Sequence, residues 1–354
     1  MICNKNPIEV KGNRRNDMKK NLALSLVLMS IVFIVAACSS DKSADREVSD
    51  DKTTGVVPLY TPGSGGTNYV IGAGISQLFN SSKEMPDVVL STESVNGSTE
   101  IAKNLISRSE KGKAAFGVPA SDIATNIYQG KDPIITGEHK DLKAVTWFSY
   151  AAVHIVVPKK SEIKSIEDLK GKKVGVAPKG SSPYNFMQTL LADEYNISFD
   201  EDVKVIPLGN PEISEGLQNG SIDVGILTGF IPAPLITEVS QLMDVKIIPF
   251  DEKKLSSFTE NHPYYSSMEV EANTYKDQKE DITIGAFETM LLTHENTDDD
   301  MVYNLVKFIM ENEEDIKQVH NSFDISPKSV SRGVVIPFHP GAIKYFKEED
   351  IKYE

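Results

Sequence analysis

The sequence predicts an α/β fold in two lobes with a cleft between them. Three observations carry this. From Val56 onward, short runs rich in Val, Ile and Leu alternate with segments of helical periodicity. The helical segments between the runs are of about 10–15 residues, which implies βαβ units and mainly parallel sheets. The units also fall into two successive series, 56–158 and 159–250, and the return segment 251–354 has its simplest place on the first series. Lobe I is therefore expected to hold 56–158 and 251–354, and lobe II 159–250. The cleft between two such lobes is where a ligand site is expected.

The 354 residues are 40% hydrophobic and 25% charged, enough for one large or two ordinary domains. Lys and Arg total 37 against 51 Asp and Glu, a net charge of −14. Phosphate contacts need a basic face, so nucleic acid is excluded as a partner class. Cys3 and Cys38 are the two cysteines, which excludes a four-cysteine zinc site, a redox pair at CxxC spacing and a disulfide framework.

The chain opens with an address. Lys19 and Lys20 precede an apolar run, Leu22 to Ala37, broken only by Ser25 and Ser30 and ending in Val35-Ala36-Ala37-Cys38. A basic start, an apolar stretch and small residues before a cut site make an export signal. Because this one ends in cysteine it looks like a bacterial lipoprotein signal. Residues 1–37 would be removed, with 1–17 a possible misassigned start before Met18. The Cys38 sulfur would then carry a diacylglycerol in the lipid bilayer, and the mature protein would sit outside the cytoplasm. An uncleaved membrane helix is the alternative, although the run is slightly short of the about 20 residues a span needs. Residues 38–55 are Ser, Asp, Lys and Thr with little that is apolar, a flexible tether.

The body reads in order as follows. Val56–Tyr60 is a strand, the turn Pro62–Thr67 follows, and a helix runs over about 69–80. Val88–Leu90 begins a strand, Asn96–Thr99 is a polar turn, and a helix passes through Ile101, Leu105 and Ile106. Ala115–Val118 is a strand, with Ser121 or Asp122 capping the next helix. Val145–Val157 holds two apolar runs around Ser149-Tyr150. Ser165–Asp168 has the spacing of a capping box. Strands at Lys173–Ala177, Val203–Ile206, Val224–Leu227 and Val245–Phe250 then alternate with helices at Tyr184–Tyr195 and Glu212–Gln218. A long apolar strand, Ile282–Leu292, precedes a helix over Asp298–Asn312, with Thr297 as its cap.

Four strand-to-helix turns are rich in Gly, Ser and Thr: 63–67, 96–99, 180–183 and, less clearly, 228–229. Glycine permits close backbone approach. The first amides of the following helix lack intrahelical acceptors, and the macrodipole adds positive potential there. In open α/β sheets such turns lie at the carboxyl ends of strands, so several facing one cleft would hold a carboxylate or phosphate without an arginine. Each is also what an ordinary cap or turn looks like.

Catalytic patterns are absent from the sequence. The 63–67 turn has no lysine before Thr67, so it is not a phosphate loop. It fails GxGxxG, because Asn68 stands at the third glycine position. There is no GxSxG elbow, and the six histidines show no HExxH. Asp298-Asp299-Asp300 reads as the acidic first turn of a helix rather than a cation site. No cofactor, metal or enzymatic activity is expected.

The stretch from Thr61 to Gly74, which carries Gly63, Gly65, Gly66, Thr67 and Tyr69, resembles the opening of the TAXI family. These are solute-binding subunits of tripartite ATP-independent periplasmic (TRAP) transporters. The likeness continues through Glu93–Glu100, Ser165–Val176, Gly220–Val224, Val302-Tyr303 and His339–Tyr345. It implies a periplasmic-binding-protein-like (type II) fold. It further implies capture of a small organic carboxylate such as glutamate or 2-oxoglutarate, and delivery to a membrane permease driven by an ion gradient. The matching positions for ligand contact are Gly65, Gly66, Thr67, Tyr69, Asn96, Ser98, Thr99, Ser121 and Asp122 on one side. Gly180, Ser181, Ser182 and Thr228 would close from the other. Pro119–Asp122 and Phe230–Ala233 depart from the family pattern and leave the ligand open. The alternatives are the binding protein of an ATP-driven uptake system for another anion such as a phosphonate, an extracytoplasmic hydrolase, and a surface adhesin.

Overall fold

The computed structural model describes residues 55–64, 66–320 and 323–353. The export signal, Cys38, the tether through residue 54 and Gly65 lie outside the described residues.

The first series forms β1 (Gly55–Pro62), α1 (Thr67–Ser82), β2 (Val88–Val95), α2 (Ser98–Glu110), β3 (Phe116–Gly117) and α3 (Ser121–Tyr128). A 17-residue strand, β4 (Leu142–Pro158), leads out of it. A 3-10 turn, Ile166–Leu169, is fixed by a capping box of Ser165 and Asp168, as the spacing predicted. The second series is β5 (Lys173–Val176), α4 (Ser182–Tyr195), β6 (Lys204–Pro207), α5 (Asn210–Asn219), β7 (Val224–Gly229), α6 (Pro234–Leu242) and β8 (Val245–Ile248). Then come α7 (Glu252–Asn261), β9 (Tyr265–Val270), β10 (Ile282–His294), α8 (Asp299–Glu311), α9 (Glu313–Val319) and α10 (Pro340–Glu348).

The ten strands form one sheet in the order β2-β1-β3-β10-β4-β7-β5-β6, with β8 on β4 and β9 on β10. Strand β1 is parallel to β2 and β3, and β5 is parallel to β6 and β7, as the βαβ spacing predicted. Two long antiparallel strands join the halves. The part of β4 up to and including Val153 pairs with β10, and the part from Ala152 on pairs with β7 and β8. Their length explains why Val145–Val157 reads as two apolar runs: it is one strand serving two cores. The β4–β10 register shifts between Thr289 and Met290, which leaves Phe148 as the extra residue opposite that step.

Two buried clusters follow from this plan. One gathers Leu59, Ile71, Ile75, Trp147, Phe148, Val302, Leu305 and Phe346, where α1, α8 and α10 cover the first half of the sheet. The other runs from Ile101, Leu105 and Ile123 to Phe186, Leu190, Ile213 and Ile236. Residues 251–281 contribute α7, which packs on α4, and β9, which pairs with Ile282–Phe287 of β10.

Three expectations change. Thr297 does not cap α8: Asp298 does, accepting from Met301 N–H at 3.0 Å, while the Thr297 hydroxyl meets Thr293 at 2.7 Å. Neither Ser121 nor Asp122 caps α3, whose N-cap is Ala120. Helices α6, α7, α9 and α10 and strand β9 extend the predicted set. Among the described residues, no helix is long and apolar enough to cross a membrane.

Candidate functional site

The helix starts are alike in one respect. All six helices that follow a parallel strand, α1 to α6, begin without a side-chain cap. Their N-cap residues are Gly66, Gly97, Ala120, Ser181, Gly209 and Ala233. Side-chain caps occur on α7, α8 and α10, supplied by Asp251, Asp298 and His339. At these starts no N-cap side chain takes a first-turn amide; at α3 the Ile123 amide reaches the Asp122 carboxyl instead.

The starts of α1, α2, α3 and α4 are tied together through β4 and β10. Asn68, in the first turn of α1, accepts from the Ser149 hydroxyl at 2.6 Å. Ser149 meets Thr289 of β10 at 2.7 Å, and Thr289 forms a backbone bridge with Ala120. The Ala120 N–H donates to Ser98 Oγ at 3.0 Å. Two residues on, Asp122 accepts from the Ser182 hydroxyl of α4 at 2.7 Å. One connected set of contacts therefore spans both series.

Each predicted site residue has a place relative to this set. Gly66, Thr67 and Tyr69 flank Asn68, with Gly66 exposed and Thr67 and Tyr69 half-buried. Ser98 lies within the set, and Thr99 is half-buried beside it. Asn96 is exposed and gives its backbone N–H to Glu100 at 2.8 Å. Ser121, Asp122 and Ser182 lie at the seam between the series. Gly180 and Ser181 precede Ser182, and Gly180 takes a positive φ of 87° that a side chain would strain. Thr228 stands opposite Val153 of β4, and its carbonyl accepts from Asn210 at 3.4 Å. Gly65 lies outside the described residues.

Three buried hydroxyls in these turns have no hydrogen-bond partner: Thr61 at the end of β1, Ser121 and Ser181. Buried polar atoms are ordinarily paired, and Thr146 Oγ1 in β4 is another hydroxyl without a partner. Asp122 is buried, and that burial pushes its carboxyl above the ordinary value against hydrogen bonds from Ser182, the Ile123 amide, Asn185 and Tyr265.

A second cluster was not foreseen. Glu288, 1% exposed, accepts from Arg332 Nε at 2.9 Å and from Trp147 Nε1 at 2.7 Å. The Arg332 guanidinium lies over the rings of Trp147 and Tyr150, at 5.4 and 5.8 Å. Tyr150 meets Phe230, which follows β7, edge-on at 4.9 Å, and Phe230 meets His320, which follows α9, at 5.6 Å. Phe230 of the second series is thus held between residues of β4 and of the α9 end. Trp147 is the single tryptophan, and Glu288 is an acid inside a strand of otherwise apolar and small residues. Those two oddities were the available signals.

Lys159 pairs with Asp277 at 2.6 Å and Lys179 with Asp200 at 2.8 Å. A cavity of about 320 Å³ opens between Ile236, Lys246, Tyr275 and Ile282, and none of the predicted site residues lines it. Among the described residues, no group of three His, Cys, Asp or Glu is placed to hold a metal ion.

Solved proteins of similar shape include the periplasmic aliphatic sulphonate binding protein SsuA of Escherichia coli. It is 14% identical, with 82% of this chain and 78% of that one covered and a TM-score of 0.46. A TctC solute binding protein from Polaromonas is 17% identical over 75% of this chain and 87% of that one, with a TM-score of 0.47. XAC2383 from Xanthomonas citri, solved with chloride bound, is 10% identical over 83% and 95%, with a TM-score of 0.49. The sequence itself matches one family model across residues 59–349, which takes in every predicted site residue of the folded body and the Arg332–Glu288 pair. The chain belongs to the NMT1-like family.

Proposed function

We propose that this protein is an extracytoplasmic solute-binding receptor. It traps a small organic acid between two lobes and delivers it to a membrane permease. The observation that carries the reading is the joining of four uncapped helix starts, from both series, into one set of contacts around unpartnered buried hydroxyls. Amides there are free to donate to an anion in a desolvated place. Binding favours the closed form by its differential affinity for closed over open.

The boundary between the lobes would run through β4 and β10; because α7 packs on α4, residues 251–281, expected with lobe I, would go with lobe II. Gly65, Gly66, Thr67, Tyr69, Asn96, Ser98, Thr99, Ser121 and Asp122 would hold the guest from one lobe, and Gly180, Ser181, Ser182 and Thr228 from the other. The likeness to the TAXI family favours a carboxylate and a permease of the TRAP type, and the ending of the export signal favours anchoring through Cys38.

The test is a melting-temperature screen of the purified full chain against mono- and dicarboxylates, amino acids, sulfonates and phosphonates. A guest at 100 times its dissociation constant stabilises by about 2.7 kcal/mol. A carboxylate hit supports the reading. A sulfonate or phosphonate hit moves the protein to the alternative anion class, and no hit in any class contradicts the receptor reading.

A further inference from the structure

The cavity of about 320 Å³ between α6, β8 and the start of β10 has a lining of two kinds. Ile236, Ile247 and Ile282 give it an apolar side. Residues 275–280 form a further wall, and that wall is fixed. The Gln278 side chain donates to the carbonyls of Val270, Glu271 and Glu280 at 3.0, 3.1 and 2.9 Å. The Tyr275 hydroxyl is engaged in the interior, with the Ala233 N–H at 2.8 Å and His154 Nε2 at 2.9 Å. What Tyr275 offers the cavity is therefore ring carbon. The Ser240 hydroxyl is engaged too, donating to the Thr237 carbonyl at 2.7 Å.

The rest of the lining is charged, with four lysines against two acids in a chain of net charge −14. Lys159 is matched by Asp277 at 2.6 Å and Lys276 by Asp244 at 2.9 Å. Lys246, Lys279 and Glu280 form no ion pair with any described residue. Lys246 is half-buried, and its ammonium donates to the Ser161 carbonyl at 2.8 Å, a neutral acceptor. Lys279 is exposed and acts on Asp277 only from longer range. A half-buried ammonium beside apolar surface is best answered by an anion that brings its own apolar body. At about 30 Å³ for each water-sized group, the volume holds about ten non-hydrogen atoms.

We propose that this cavity is a second binding site, for an amphiphile with one anionic head and an aliphatic tail of about eight carbons. The tail lies against Ile236, Ile247 and Ile282, and the head is met by Lys246 and Lys279. The site is separate from the joined helix starts, so it stands or falls independently of the receptor reading. A fatty-acid carboxylate and an alkyl sulfonate share the required chemistry.

The test is calorimetric titration of the full chain with octanoate, octanesulfonate, butyrate and octanol. Octanoate or octanesulfonate is expected to bind about 100-fold more tightly than butyrate, the scale of four buried methylenes. The tighter of the two identifies the head group. Octanol, which lacks the charge, is expected to bind about tenfold more weakly than that anion. Lys246→Met should weaken the anion about tenfold and leave octanol unchanged. Ile247→Trp, which fills the cavity, should abolish binding of both. Should either variant fail to fold, Lys279→Met on the exposed rim must still weaken the anion and spare octanol. Octanol binding as tightly as the anions overturns the inference, and so does butyrate binding as tightly as octanoate. Binding lost in Gly66→Val but kept in both lysine variants places the amphiphile at the helix starts, which overturns the second site and supports the receptor reading. Silence from all four probes overturns the second site and leaves the receptor reading standing.

Discussion

Ser182 donates a hydrogen bond of 2.7 Å to Asp122, sixty residues earlier in the chain. The two stand at the starts of helices that follow parallel strands in different series, and their contact is buried. A buried carboxyl at a seam makes the stability of the protein depend on pH. Burial raises the Asp122 pKa in the folded chain above its ordinary 3.8. The unfolded chain therefore releases the proton first as pH rises. The stability this group contributes is present below 3.8 and is lost as pH climbs through the raised folded value. Asp122→Asn removes the effect. Urea unfolding at pH 4, 6 and 8 should show the variant gaining on the native chain as pH rises, and a constant difference between the two would contradict this.

His154 works in the opposite direction. It is buried in β4, with Nε2 at 2.9 Å from the Tyr275 hydroxyl, which in turn accepts from the Ala233 N–H at 2.8 Å. Desolvation lowers its pKa from 6.5 to about 4. Between those values the unfolded chain takes a proton that the folded chain refuses, so stability falls as pH drops from 6.5 towards 4. The full loss is about 3 kcal/mol. A non-titrating His154→Gln should flatten this part of the profile, as read by the melting temperature across pH 4 to 7.

The Arg332–Glu288 pair is expected to be strongly asymmetric under mutation. Arg332→Met leaves Glu288 buried with only Trp147 for a partner and should cost about 3 kcal/mol. Adding Glu288→Gln removes the uncompensated charge and should restore most of the loss. If the double variant unfolds as early as the single one in urea, the pair is held by something other than charge compensation.

Gly74 lets α9 approach α1. A Cβ at this position would lie 2.6 Å from Val319 Cγ1. Gly74→Ala should destabilise by about 1–3 kcal/mol through overpacking, and Val319→Ala should relieve it in the double variant. A double-mutant cycle without coupling would show that the helices separate freely.

The fold was legible because both of its periodicities are local. Val56–Tyr60, Val88–Leu90 and Val224–Leu227 announce strands, and the spacing between them fixes parallel pairing. The capping box at Ser165 needs only four residues to be read. Five later elements, α6, α7, α9, α10 and β9, carry weaker local patterns. The apolar run Val245–Phe250 outlasts β8, which ends at Ile248, and reaches the residue before the Asp251 that caps α7. Strand β9 alternates buried and exposed residues over only six positions, and α10 is announced by little beyond His339-Pro340.

The site divides in the same way. The Gly- and Ser-rich helix starts are visible because each is one short motif. Ser149, Thr289, Glu288, Trp147 and Arg332 meet across separations of 44 to 141 residues, which no local pattern encodes. The capping logic applied at Asp122 gives way to a long-range contact, the Ser182 hydroxyl on its carboxyl, and at Thr297 to a bond with Thr293, four residues earlier.

The account stands on a guest held at the joined helix starts. The most direct measurement is calorimetric titration of the best carboxylate from the screen into the native chain and into Gly66→Val. Gly66 has an extended backbone with φ of −91°, which valine tolerates, while a Cβ would stand 3.3 Å from the Gly63 carbonyl inside the turn. The account predicts that the variant keeps the melting temperature of the unliganded protein and loses the binding heat. Unchanged affinity in a folded Gly66→Val would mean that the guest is held elsewhere.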